Sequence, residues 1–248
     1  MTRKTACLIF NPVAGQSDPE QDLAQIRELL EPEFDLDIRM TTAEMDADEI
    51  ARQAIADGAK VIIASGGDGT LSAAADALVE TDIPLGVISR GTANAFAAAL
   101  ELPDTIEAAC KTILGGATRK VDAALCNGRP MVLLAGIGFE AETVEKADRQ
   151  AKKRFGMLAY VMAGLQQLRE LESFTAEIET EDKVVNVTAT AVTVANAAPP
   201  TSILAQGPDG VVFDDGLLDV TVVSSTTRAG AIAAYFHLLS TALNENAA

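Results

Sequence analysis

A chain of 248 residues, 48% of them apolar, has room for one large or two small domains and enough apolar surface for a packed core, which excludes general disorder. Its 19 Lys and Arg against 36 Asp and Glu give a formal charge of −17, a poor match to a nucleic-acid binder that works through a basic face. No apolar run approaches bilayer-spanning length, the N-terminus lacks a secretory h-region and cleavage site, and Cys7, Cys110 and Cys126 are odd in number and far apart, so a reduced, cytoplasmic protein is expected.

Residues 6–10 form a continuous apolar run, which predicts a strand buried on both faces. Asn11-Pro12-Val13-Ala14-Gly15 reads as a loop. Leu23, Ile26, Leu29 and Leu30 recur at helical spacing, and residues 34–39 alternate like a more exposed strand. Ile50, Ala54 and Ile55 give a second helix that Gly58 stops. A buried strand follows over 60–65, an apolar helix over 71–79, a fourth strand over 84–88 and a helix near 92–100. This strand–helix repetition builds a parallel sheet with helices on its faces.

The pattern changes after Arg119. Residues 121–125 and 130–135 read as strands joined by the hairpin signal Asn127-Gly128. Residues 140–171 read as helical with a break at Phe155-Gly156, 175–179 and 184–195 as strands around an acidic turn, 217–224 as a further strand and 229–243 as a helix. The expected division is an α/β domain over 1–120 and a mostly antiparallel domain over 121–248, meeting at a cleft that would take ligands.

The sharpest signal is Gly66-Gly67-Asp68-Gly69-Thr70, after a buried strand and before a helix starting near Leu71. Open α/β sheets bind ligands at this end of a strand. Glycines let the backbone approach an anion, and a helix N-terminus offers it free N–H groups. Thr70 is expected to cap the helix and donate its hydroxyl. Asp68 repels a bare phosphate, so it points to a divalent ion or to proton acceptance near a transferred group. The plainer alternative is a tight glycine turn with Asp68 as a cap. No Walker A or Gly-x-Gly-x-x-Gly fingerprint accompanies the motif.

The motif resembles the nucleotide loop of the diacylglycerol kinase/NAD kinase superfamily. Four further segments, in the same order, resemble bacterial YegS-type lipid kinases: Asn11-Pro12-Val13-Ala14-Gly15, Gly91-Thr92-Ala93-Asn94, Gly136-Ile137-Gly138-Phe139-Glu140-Ala141, and Phe213-Asp214-Asp215-Gly216-Leu217-Leu218-Asp219. The resemblance implies a Rossmann-like first domain, a β-sandwich-like second domain, and an ATP- and Mg²⁺-dependent lipid kinase. Asn11, Thr41 (or its neighbour Thr42), Gly66, Gly67, Asp68, Gly69, Thr70, Leu71, Ser72, Thr92 and Asn94 would line the ATP site. The Asp215 carboxylate, helped by the carbonyls of Val212 and Leu217, would hold magnesium with the oxygen donors a hard cation prefers.

The sequence departs from the family pattern at Ser72-Ala73, where Asn-Glu is usual after the Thr-x, at Ala95, where Asp often follows Asn94, and at Ser89, where Pro is common. No Asp-Gly-Glu occurs anywhere, although the family's closing strands carry its general base there. The expectation is a second domain incomplete at its C-terminus, with Asp68 as the substitute base. An exposed sheet edge would then favour a homodimer. Arg149, Lys152, Lys153 and Arg154, followed by Met157, Leu158, Tyr160, Val161, Leu165 and Leu168, read either as a solvated helix end or as a local contact with anionic membrane. His237 reads as a packed histidine. Three functions stay open: a lipid kinase acting on a diacylglycerol-like hydroxyl, an NAD kinase, and a nucleotide-binding regulator without transfer. The acceptor lipid is not readable; residues 196–206 are unusual but carry no code.

Overall fold

In the computed structural model, residues 3–138, 173–206 and 210–224 are described. Period-two burial sets the first sheet. Strand β1 (Lys4–Phe10) sends Ala6, Leu8 and Phe10 to one face and Cys7 and Ile9 to the other, all buried. Strand β3 (Val61–Gly66) does the same with Ile63 against Ile62 and Ala64. Strands β2 (Phe34–Met40), β1, β3 and β4 (Leu85–Ser89) pair in parallel in the order β2-β1-β3-β4.

Helices cover both faces. On one, α1 (Pro19–Leu30) and α5 (Ile106–Gly115) bury Ile26, Leu30, Ala109 and Cys110 against Leu8 and Phe10. On the other, α2 (Ala47–Ala56), α3 (Asp68–Asp76) and the short α4 (Ala95–Ala99) bury Ile50, Leu71 and Phe96 around Ile9 and Ile62. Helix α5 was not foreseen, although Thr105 caps it and Gly116 ends it at φ 67. Gly58 does stop α2's chain path, at φ 96.

Strands β5 (Ala124–Cys126) and β6 (Arg129–Met131) form the expected hairpin, with Asn127 at φ 51 and Gly128 at φ 77. The predicted strand over 130–135 divides in two. Val132 and Leu133 join the core of the first sheet, and β7 (Leu134–Gly138) belongs elsewhere. The chain accordingly forms two units: Met1–Leu133 with Asn196–Pro200 and Val212–Leu217, and Leu134–Ala195 with Thr201–Val211 and Leu218–Ala248. The chain thus returns twice to the first unit, which no single boundary near residue 120 can express.

The described second unit is antiparallel. Strand β10 (Ala191–Ala195) lies between β7 and β11 (Asp219–Val223), and β8 (Phe174–Glu179) pairs with β9 (Val184–Ala189). The run over 184–195 breaks at Thr190, whose N–H and hydroxyl both donate to Val223 O. Gly138, at φ 85, faces Thr190 so closely that a Cβ would lie 2.3 Å from its carbonyl oxygen. A short α6 spans Ile203–Gln206. The helices expected over 140–171 and 229–243, the basic cluster at Arg149, Lys152, Lys153 and Arg154, and His237 lie outside the described residues.

Candidate nucleotide and metal site

The strand order places the site. The chain leaves β1 for β2 on one side, while β3 and β4 lie on the other, so the carboxyl ends of β1 and β3 flank the switch point where open sheets take ligands. The loops there carry Asn11 and Gly66-Gly67. The Asn11 N–H donates to Ser65 O at 2.9 Å, its Nδ2 donates to Thr70 Oγ1 at 2.8 Å, and its Oδ1 accepts from the Val13 N–H at 3.1 Å. Two of the sequence motifs are therefore tied by one side chain.

Thr70 does not cap α3. Gly67 occupies the N-cap with no side-chain bond, the helix begins at Asp68, and Thr70 sits buried in its first turn. Its methyl and hydroxyl take the space above Gly66, where a Cβ would lie 2.6 Å from Thr70 Cβ. Leu71 is fully buried in the apolar core, so only its backbone is left for a ligand.

The loop after β4 closes on the same place. The Arg90 N–H donates to Gly66 O at 2.7 Å. Gly91 lies against Gly67, and a Cβ on Gly91 would come 2.7 Å from Gly67 Cα. Asp68 Oδ1 accepts from the Phe96 N–H at 2.9 Å. Asp68 thus caps α4, because Asn94 stands at that helix's N-cap in the left-handed region (φ 51) and makes no capping bond. The cap reading of Asp68 holds for α4, not α3. Asn94 Oδ1 is buried without a hydrogen-bond partner, as are Ser65 Oγ and Ser89 Oγ at the same ends of β3 and β4. Buried orphan acceptors are uncommon, and a ligand that donates a hydrogen bond would satisfy Asn94.

Thr41 follows β2 and donates its N–H to Phe10 O at 3.0 Å. Thr42's hydroxyl is used locally, accepting from the N–H groups of Glu44 and Met45. The Thr41 N–H thus ties the end of β2 to the end of β1. Ser72 is half-buried on α3, and Thr92 is exposed in the third loop.

The second cluster gathers around Asp215. Its Oδ1 accepts from the Leu217 N–H at 2.9 Å, while Asp122 Oδ2 accepts from the Gly216 N–H at 2.7 Å and the Asp122 N–H donates to Phe213 O at 2.9 Å. Asp214 pairs with Arg119 at 2.7 Å, and the guanidinium lies 4.4 Å from the Phe213 ring centre. Asn196, 2% exposed, donates from Nδ2 to Asp122 O at 2.8 Å and to Val132 O at 3.2 Å. No group of three or more His, Cys, Asp or Glu able to hold a metal occurs among the described residues. A cation here would therefore need main-chain carbonyls beside Asp215, and Val212 and Leu217 are exposed in the same loop. This all-oxygen donor set suits magnesium or calcium rather than a soft metal.

Sequence reading missed Arg90, Asp22, Asp122 and Asn196. Asp22 gave a signal: it shares the i, i+4, i+8 stripe of α1 with Ile26 and Leu30, where a carboxylate is out of place unless paired.

The fold is a parallel α/β unit, with these loops at the carboxyl ends of its strands, and an antiparallel unit. Comparison places the class. The diacylglycerol kinase catalytic domain matches residues 5–126, and the YegS C-terminal NAD kinase beta sandwich-like domain matches residues 134–241. A diacylglycerol kinase of Bacillus subtilis (strain 168) is 32% identical, over 91% of this chain and 76% of that protein. A crystal structure of a diacylglycerol kinase from Bacillus anthracis str. Sterne superposes with a TM-score of 0.75 at 31% identity, covering 97% of this chain and 79% of that one. An uncharacterized protein of Synechocystis sp. is 51% identical over 98% of this chain, which spans 59% of that protein's length. The chain belongs to the diacylglycerol kinase family, in its YegS-type two-domain form.

Among the described residues no helix is long and apolar enough to cross a membrane.

Proposed function

We propose that the protein is an ATP-dependent lipid kinase that phosphorylates a hydroxyl of a diacylglycerol-like lipid. The observation that supports this most is the convergence of three motifs at the sheet's switch point: Asn11 bonded to Thr70, Gly67 against Gly91, and Asp68 bonded to Phe96 N–H. In this reading the glycine loop and the N-terminus of α3 hold the phosphates, with Asn11, Thr41, Ser72, Thr92 and Asn94 around the nucleotide. Asp215 and the carbonyls of Val212 and Leu217 hold magnesium, whose chemistry is charge neutralisation at oxygen. The protein's share of the rate is positioning and fixed dipoles.

Asp68 is the proposed proton acceptor for the lipid hydroxyl. One of its oxygens is held by the Phe96 N–H, which fixes the carboxylate's orientation. Asp68→Asn keeps an acceptor for that N–H and removes the base. It should leave Mg-ATP binding within about twofold and lower lipid phosphorylation roughly 10²- to 10⁴-fold. A rate within a few-fold of the unmutated chain would remove Asp68 from this role.

The capping bond also favours a second reading, in which Asp68 is structural and the chain binds nucleotide without transfer. Lipid-dependent ADP release measured beside Mg-ATP binding separates the two. Binding without release in the unmutated protein would favour the regulator.

A further inference from the structure

We propose that Arg90 is a positioning residue for nucleotide binding, a clamp that holds the loops after β1, β3 and β4 in one arrangement; this rests on the nucleotide-site reading above. Arg90 is the one basic residue between Lys60 and Lys111 in the sequence, and its side chain is 2% exposed. Its Nε donates to Asp22 Oδ2 at 2.7 Å, Nη1 to Asn11 O at 3.0 Å and Nη2 to Ala14 O at 3.3 Å. The guanidinium also lies 4.2 Å from the Phe10 ring centre. Ser17 Oγ donates to the same Asp22 oxygen and completes the far side of the pair.

A guanidinium fork can reach a carboxylate and two separate carbonyls at once; an ammonium group cannot reproduce that planar set. Because Asp22 balances its charge, Arg90 is no long-range attractor of phosphate, and its role is geometric. The path from it to the site is short. Arg90 fixes the Asn11 carbonyl, Asn11 Nδ2 fixes Thr70, and Thr70 packs on Gly66, whose carbonyl accepts the Arg90 N–H. Gly15 seals the clamp, since a Cβ there would lie 2.5 Å from Arg90 O.

The test compares the unmutated protein, Arg90→Lys, Asp22→Asn and the double variant. Mg-ATP binding is read by calorimetry, and steady-state rates with ATP and dioleoylglycerol in mixed micelles. For folded single variants, Kd and KM for ATP should rise about tenfold, while kcat and the lipid KM stay within about twofold. The double variant should be no weaker than the worse single, because both break one clamp. ATP affinity within about twofold of the unmutated protein in either folded variant would overturn the proposal, as would losses that multiply in the double. If Arg90→Lys does not fold, Asp22→Asn carries the same comparison. Failure of both to fold would overturn it by showing that the clamp serves the whole domain. An unmutated protein that binds Mg-ATP without phosphorylating lipid would contradict the kinase reading, and the Kd comparison would still decide the clamp.

Discussion

At the scale of residues, two glycines in the same motif have opposite environments. Gly66 has no free space, because Thr70 lies 2.6–2.8 Å from where its Cβ would sit. Gly69 has nothing within 4 Å. Gly66→Ala should therefore displace Thr70, costing about 1–3 kcal/mol in stability and most of the ATP affinity. Gly69→Ala adds a good helix former to the first turn of α3 and should hold or raise stability by about 0.5–1 kcal/mol. It should weaken Mg-ATP binding, because the proposed phosphate site lies on that turn. Thermal melts of both variants, run with and without Mg-ATP, check the contrast. Equal melting temperatures for the two variants without nucleotide would contradict the packing argument.

At the scale of elements, the second cluster is a clasp between distant segments. Asn196, just past β10, holds Asp122 ahead of β5, and Asp122 holds the loop that presents Asp215. Asn196→Ala leaves the buried Val132 carbonyl and the part-buried Asp122 carbonyl without this donor and should destabilise by about 1–3 kcal/mol. It should also raise the magnesium concentration needed for half-maximal ADP release, as Asp215→Ala should more severely. A magnesium titration of each variant measures this, and an unchanged midpoint for Asp215→Ala would remove it from the metal site. Much of this was legible in the sequence. Strands β1 and β3 announced themselves as buried apolar runs, β2 by its alternation, the hairpin by Asn127-Gly128, and the loop between β3 and α3 by its glycines. The clasp was not, because a buried asparagine and an aspartate 74 positions apart carry no periodic signal until the chain folds. The same holds for Asp22 and Arg90, 68 positions apart. Helix α3 began earlier than expected because glycine at the N-cap and aspartate at the first turn suit a helix start without a side-chain cap.

At the scale of the molecule, alkaline pH should weaken the first unit. Burial pushes the thiols of Cys7 and Cys110 from 9.0 up to about 11, with Asp37 adding to the effect at Cys7 and Arg39 opposing it. The folded state holds these protons more tightly than the unfolded chain. The stabilisation is complete below the ordinary thiol value and is lost as pH rises through the folded one, with a slope on the order of 1.4 kcal/mol per pH unit per thiol. Melting temperature should fall between about pH 9 and 11, and less steeply in Cys7→Ala or Cys110→Ala; identical slopes would contradict this assignment. Exposed Cys126 should react first with a maleimide, and the two buried thiols only on unfolding. The central claim, a nucleotide site at the β1/β3 switch point that serves lipid phosphorylation, has one direct measurement. The purified chain is incubated with γ-³²P-labelled ATP, magnesium and diacylglycerol micelles, and label is followed into the lipid phase. Label in the lipid that disappears in Gly66→Ala and in Asp68→Asn is the expected result. Transfer undiminished by both substitutions, or none from the unmutated chain although it binds Mg-ATP, would contradict it.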